Sequence, residues 1–386
     1  MKHTHLVFAF MASVMLPCCT THVEKSNLQT LTVSMSDIQK TASLKEFATQ
    51  TSYIPLETND NTLISRISDI KKKDHLYYIS DESTLYKFNK EGKLVGKISK
   101  KGTGPDEYTN ISDFQIDKDG NVWVLNRNQK RLNLYSWEGT LLKQIHLKYW
   151  VEKISFHDDS YIYMFGGNVL EEGKDSKIQV FDMNTEQYTA HFLPIDKNQS
   201  NYLHILGQQC FDKQNEGTYF YQLFNDTIYK LTPQSIEPYI CVNLDNKNIP
   251  ASFYERKYEN VMFFFNALHK ESYAYGISYF HEYLSRYLFS FIYQQRQYLA
   301  VLPKSGEEKA IIVPQLTVGD NLLPDDFLLD LIETQTFLQD EGSLIFVLPA
   351  SQITEYAETK GNIELTQRLQ ILDSEQNPIL LDVEIK

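Results

Sequence analysis

Apolar and polar residues follow the same order in two stretches of the chain that lie about 45 residues apart. Ser68-Asp69-Ile70 opens the first stretch and Ser112-Asp113-Phe114 opens the second. His75-Leu76-Tyr77-Tyr78-Ile79 then leads to Leu85-Tyr86-Lys87-Phe88, as Asn121-Val122-Trp123-Val124-Leu125 leads to Leu132-Asn133-Leu134-Tyr135. Alternation with period two over runs this short predicts half-buried strands. Glu91-Gly92-Lys93 and Asp119-Gly120-Asn121 predict hairpin turns, because glycine accepts the positive φ that tight connections need. Each unit therefore supplies four short antiparallel strands, as a propeller blade does.

The order recurs more loosely downstream. Residues 161–165, 178–182 and 188–193 form a third unit, and 219–223, 227–231 and 238–244 a fourth. A fifth runs through 287–293, 298–303 and 309–313, and a less regular sixth occupies 327–349, with a clear strand at 344–348 and a strand or a helix at 325–331. Between the fourth and fifth units, Phe253, Tyr254, Lys257, Tyr258, Val261 and Met262 recur at helical spacing, which predicts a helix laid over the blades. The expected fold is all-β: a six-bladed β-propeller of four-stranded antiparallel blades with a helical insertion before the fifth blade. Radial repetition protects sheet edges, and the last blade needs a closing strand from the opposite terminus, supplied by residues 28–33 or 52–56.

The start of the chain has a different pattern. Lys2 precedes an apolar run from Leu6 to Leu16 that is too short to span a bilayer and ends in Leu16-Pro17-Cys18-Cys19-Thr20. This reads as a bacterial lipoprotein signal over residues 1–18, a tether over 19–27 and a single propeller domain over 28–386. Cys19 is the favoured acylation site, since Leu16 stands three positions upstream and a small residue directly precedes it; Cys18, with Pro17 before it, is the alternative. The mature chain is then extracytoplasmic, held to the cell envelope, and at the outer membrane, by lipid.

Composition narrows the partners. The first 18 residues carry Lys2 as their sole charged side chain, so their removal takes the formal charge from -13 to -14 and disfavours nucleic acid and anionic lipid. The expected membrane contact is the lipid anchor alone, and a monomer is expected. The 25 tyrosines and 22 phenylalanines against 16 glycines suit pleated, half-buried surfaces. Cys210 and Cys241 fit either one disulfide across a sheet or two buried thiols.

Motifs for chemistry are sparse. The histidines are scattered with no pair at i, i+4 and no zinc-ligand spacing, and no nucleophile elbow occurs. Asp117 and Asp119 lack the remaining ligands of a calcium loop. Adjacent acids such as Asp325-Asp326 point to opposite faces of a strand. Lys101-Gly102-Thr103-Gly104 is followed by Pro105 and two acids, which repel phosphate, so the loop reads as a connector between blades. No cofactor and no metal is expected.

Three motifs carry a resemblance. Gly102-Thr103-Gly104-Pro105-Asp106-Glu107-Tyr108, Asn225-Asp226-Thr227-Ile228-Tyr229 and Gln376-Asn377-Pro378-Ile379-Leu380 are similar to landmarks of the six-bladed β-propeller lipoproteins of Bacteroidetes, whose blades resemble NHL repeats. The resemblance covers nearly the whole mature chain and implies fold and an exported location, with no activity attached. Asp106 stands where the family often has a second small residue.

Two functions fit. The first is a binding or scaffolding module for an extracellular glycan, peptide or envelope protein, with Trp123, Trp137, Trp150 and a tyrosine-rich run available for stacking. The second is a propeller-type lyase or hydrolase with its site at the central channel. The missing catalytic motifs favour the first, and no catalytic residue is assigned. Residues at the starts of the innermost strands, Arg66, Asp69, Tyr108, Asn110 and Asp113, are the candidates for a ligand face.

Overall fold

The alternating runs pair as antiparallel strands in a computed structural model, which describes residues 28–203, 209–214, 216–305 and 308–385. The first repeat folds as Asp69–Lys73, Leu76–Ser80, Leu85–Phe88 and Leu94–Ile98, and the second as Asp113–Ile116, Val122–Asn126, Arg131–Tyr135 and Leu141–His146. Gly92 and Gly120 turn two of these hairpins at φ 76° and 81°, and Asp117 Oδ1 closes the second by accepting from Asp119 N at 2.9 Å and Asn121 N at 2.8 Å. The signal, Cys18, Cys19 and the tether lie outside the described residues.

Three more sheets follow the order read from the sequence. They are Lys153–Phe156 with Tyr161–Phe165, Ser176–Asp182 and Gln187–Pro194; Phe211–Gln214 with Gly217–Phe220, Thr227–Leu231 and Ile236–Leu244; and Tyr275–Glu282 with Arg286–Tyr293, Arg296–Pro303 and Ile311–Val313. Gln29–Val33 adds to the outer edge of the fourth sheet, parallel to Ile236–Leu244. The closing strand is therefore the other candidate: Ala48–Pro55 pairs antiparallel with Ile379–Ile385, beside Leu344–Leu348 and Thr336–Leu338.

The count of six blades is corrected by the strands that remain. Ala42–Ser43, Gln315–Thr317 and Leu328–Asp330 form a separate three-stranded sheet, so the β-propeller carries seven sheets. Pro314 interrupts the chain between Ile311–Val313 and Gln315–Thr317, and having no N–H it cannot continue the ladder. The segment after it pairs with the N-terminal Ala42–Ser43 and with Leu328–Asp330, a stretch expected in the sixth unit at 327–349.

The insertion is two helices rather than one, α1 (Ala251–Tyr254) and α2 (Val261–Lys270). Asn260 caps α2, its Oδ1 accepting from Met262 N at 2.9 Å. Phe253 and Phe264 are fully buried with Tyr202 and Leu268, while Val261 and Met262, expected in the buried stripe, are exposed. A second helical pair, α3 (Ala350–Lys360) and α4 (Ile363–Arg368), precedes the last strand.

Apolar side chains fill the wedges between neighbouring sheets, as Trp123, Leu125, Ile154, Ile162 and Met164 do between the second and third. Toward the axis the apolar supply ends, and side chains of the innermost strands bond to the backbone of the next sheet. Asp113 Oδ2 accepts from Ile154 N at 2.8 Å, and Gln115 Nε2 donates to Ile154 O at 2.9 Å. Buried Gln339 joins the last sheet to the first by accepting from Lys72 N at 2.6 Å and donating to Ile70 O at 3.2 Å.

Candidate functional site: a charged central channel

Strand alternation puts Asp69 and Lys71 on the same side of the first innermost strand, Asp113 and Gln115 on that of the second, and Lys153 and Ser155 on that of the third. All six line a cavity of about 210 Å3 in the upper part of the channel. A second cavity of about 700 Å3 opens at the far mouth, where Lys213, His281, Glu282 and Tyr283 stand. Lys71, Lys72, Gln115, Ser155 and Asp340 line both, so the two are continuous.

The upper cavity is lined by three lysines, Lys71, Lys72 and Lys153, and three aspartates, Asp69, Asp113 and Asp340, and Lys72 is turned to Asp382. Lys71 Nζ sits 3.4 Å from Asp69 and 3.8 Å from Asp113. Burial works against its charge, but Asp69, Asp113 and Asp340 outweigh burial and hold the ammonium above the ordinary lysine range. Asp113 is further engaged by Phe114 N at 2.9 Å and Ile154 N. Lys153 has no hydrogen-bond or ion-pair partner among the described residues, yet its affinity for the proton is raised, because Asp113 and Asp69 outweigh burial there too. Asp340, exposed to the channel, has its carboxyl pushed up by desolvation against the pull of Lys71 and Lys213. Burial pushes the Cys210 thiol up in the same cavity, and Cys210 forms no disulfide with Cys241. Tyr279, with φ 54°, donates to Thr336 O at 2.8 Å, and burial and Asp69 push its hydroxyl up to about 12.

At the far mouth, His281 Nδ1 lies 3.1 Å from Asp212 Oδ2. Gly342 lies beside Nε2, where an added Cβ would stand 2.5 Å away, and His281 is 7% exposed while lining the cavity.

The sequence candidates separate. Asp69 and Asp113 come together across Lys71. Tyr108 is fully buried, donating to Ile98 O and accepting from Lys100 N, both at 3.2 Å. Asn110 donates to Ser112 Oγ at 2.8 Å, and Arg66 is exposed; none of these three lines the channel cavities. Trp123 is core, Trp137 donates to Gly120 O at 2.7 Å, and Trp150 lines a cavity beside the channel. The glycine loop closes on itself, Gly104 N donating to Glu107 Oε2 at 2.7 Å. The sequence gives no sign of Lys153, Asp212 and Asp340 as site residues, and it shows Cys210 only as a thiol or half of a disulfide and His281 only as one of the scattered histidines; an inward-facing strand after an interblade connection is the signal that finds Lys153 and Asp212.

The family described as a domain of unknown function, DUF4934, matches residues 28–384, so the chain belongs to that family. Among solved structures, a putative exported protein of Bacteroides fragilis is 19% identical with a TM-score of 0.71, covering 93% of this chain and 100% of its own. This likeness is one of fold. A DUF4221 family member from Bacteroides vulgatus is 14% identical at a TM-score of 0.49, covering 88% of this chain and 97% of its own. Virginiamycin B lyase from Staphylococcus aureus is 15% identical at 0.42, covering 77% and 81%; neither of these two carries an argument. No curated protein matches the chain. Among the described residues, no helix is long and apolar enough to cross a membrane.

Proposed function

We propose that this member of the DUF4934 family is an exported binding module, held to the cell envelope by a lipidated Cys19, whose central channel takes a small ligand bearing a carboxylate. Lys153 carries this reading. Its ammonium faces the cavity with no partner among the described residues, while Asp69 and Asp113 are engaged by Lys71 and by backbone N–H groups. A ligand anion completes the cluster, and a cavity sheltered from bulk water strengthens that pairing. The exported description of the Bacteroides fragilis relative and the Leu16-to-Cys19 pattern support the location.

Binding fits the channel better than catalysis does. His281, the histidine paired with Asp212, is 7% exposed, which limits its contact with a substrate in the far-mouth cavity. The test is a thermal-shift screen of the mature protein against small carboxylates, neutral sugars and divalent metals. A concentration-dependent rise in melting temperature with carboxylates, lost in Lys153→Met, is expected. A response to neutral sugars or metals alone refutes the carboxylate site. Incorporation of labelled fatty acid, absent in Cys19→Ser, checks the anchor.

A further inference from the structure

Beside the upper channel lies a slot of about 50 Å3 between the third and fourth sheets, with apolar walls from Trp150, Phe165 and Phe224. The amides of Asn168, Gln209 and Gln222 stand at its rim. Gln209 and Cys210 line the slot and the channel alike, so the two spaces adjoin. Lys153 is near enough to Cys210 for its charge to act on the thiol. The slot offers no free anion: its one carboxylate, Glu152, is paired with Arg127, whose guanidinium also covers the Trp150 ring at 5.1 Å. Lys177 lines the slot as well, but burial holds its ammonium below the lysine range, so the better-held cation is Lys153.

Size decides what enters. A water needs roughly 10–15 Å3 of such space, so the slot takes about four heavy atoms, the size of an isobutyl group, whereas a hexose carries about twelve. The channel cavity of about 210 Å3 holds the rest of a dipeptide-sized ligand. Two of the amides at the junction are already engaged, Asn168 Nδ2 donating to Leu203 O at 3.1 Å and Gln209 Nε2 to Phe211 O and Leu338 O at 3.3 Å, so the slot selects by size and by its apolar walls.

We infer that channel and slot form one site for an α-carboxylate with an aliphatic side chain, a leucine-like amino acid or peptide C-terminus, its carboxylate at Lys153 and its side chain in the slot. The inference rests on the channel reading above and adds the ligand class. Gln222 makes no side-chain hydrogen bond among the described residues, so Gln222→Trp fills the slot without removing a contact.

Isothermal titration of the mature protein tests it with N-acetyl-leucine, N-acetylglycine, N-acetyl-leucinamide, leucine and Gly-Gly-Leu. N-acetyl-leucine is expected to bind at least tenfold more tightly than N-acetylglycine and than the uncharged amide. Gln222→Trp should bring N-acetyl-leucine down to the wild-type affinity for N-acetylglycine, and Gln222→Ala, which opens the slot and guards against a misfolded Trp variant, should retain the preference for leucine. Comparison of leucine with Gly-Gly-Leu identifies free amino acid or peptide terminus as the source. Equal binding of the leucine and glycine derivatives overturns the slot assignment and leaves the channel reading standing. Absence of binding by every carboxylate overturns both, and tighter binding of glucuronate than of N-acetyl-leucine replaces the amino acid by a sugar acid.

Discussion

Asp212 Oδ2 lies 3.1 Å from His281 Nδ1 at the channel's far mouth, and burial holds its carboxyl above the ordinary aspartate range. Asp212 is fully buried, its Oδ1 has no hydrogen-bond partner among the described residues, and burial pushes its carboxyl from 3.8 up to about 6 against the pull of His281 and Gln214. Desolvation wins here because one hydrogen-bonded imidazole does not replace the water lost by both carboxylate oxygens.

A raised acid binds its proton more tightly in the folded chain than in the unfolded one. Stability from Asp212 is therefore complete below pH 3.8 and is lost as pH rises through about 6, by an amount on the order of 3 kcal/mol. Urea unfolding of wild type and Asp212→Asn between pH 4 and 7 isolates this change, since the other carboxylates cancel in the difference. The variant should gain on wild type as pH rises; a constant difference across that range would remove Asp212 as the titrating group.

Asp382 on the closing sheet pairs with Lys72 of the first sheet at 2.7 Å and accepts from Tyr77 Oη at 2.7 Å. Both side chains of the ion pair are buried, at 8% and 4% exposure. Asp382→Ala leaves an ammonium and a hydroxyl without their partner and should cost about 3–5 kcal/mol by chemical denaturation. A loss below about 1 kcal/mol means that Lys72 finds water or Glu384 instead.

Asn377 explains one of the sequence landmarks. Its buried amide donates to Glu57 O and Thr62 O, both at 2.7 Å, and accepts from Ile64 N at 2.9 Å, fixing the loop that enters the first sheet. Asn377→Leu should destabilise by about 2–4 kcal/mol, because three backbone groups lose their buried partner. Proteolysis between residues 57 and 64 should accelerate in parallel; an unchanged digestion rate contradicts the fixing role.

Gly92 and Gly120 both turn hairpins at positive φ, at different places in their blades, and differ in what surrounds them. A Cβ on Gly92 would stand 1.9 Å from Pro55 O of the closing strand, whereas one on Gly120 meets nothing within 4 Å. Gly120→Ala should cost about 1 kcal/mol, from the positive φ alone. Gly92→Ala should lower the melting temperature well beyond that, because the opposing atom is backbone and cannot rotate away.

The legible strands are those with an apolar neighbour on either side. Leu85–Phe88 and Val122–Asn126 alternate because they pack between sheets. Innermost strands such as Lys153–Phe156 and Phe211–Gln214 turn polar side chains to the channel, so their apolar signal is diluted and they were not read. Much of the candidate site lies on those strands, which is why the Ser-Asp repeat shows Asp69 and Asp113 while no repeat marks Lys153. Ala42–Ser43, too short for any period, hid the seventh sheet.

By itself the sequence determined the all-β character, the repeat with its hairpins, and the lipoprotein-like start, since alternation, turn glycines and a short apolar run act over a few neighbouring residues. Tertiary structure alone decided which N-terminal strand closes the propeller, how many sheets form, and that Asp69, Lys71, Asp113 and Lys153 meet around one axis. Those outcomes depend on pairings across tens to hundreds of residues, whose partners are selected by packing of the whole chain and leave no local periodicity to read.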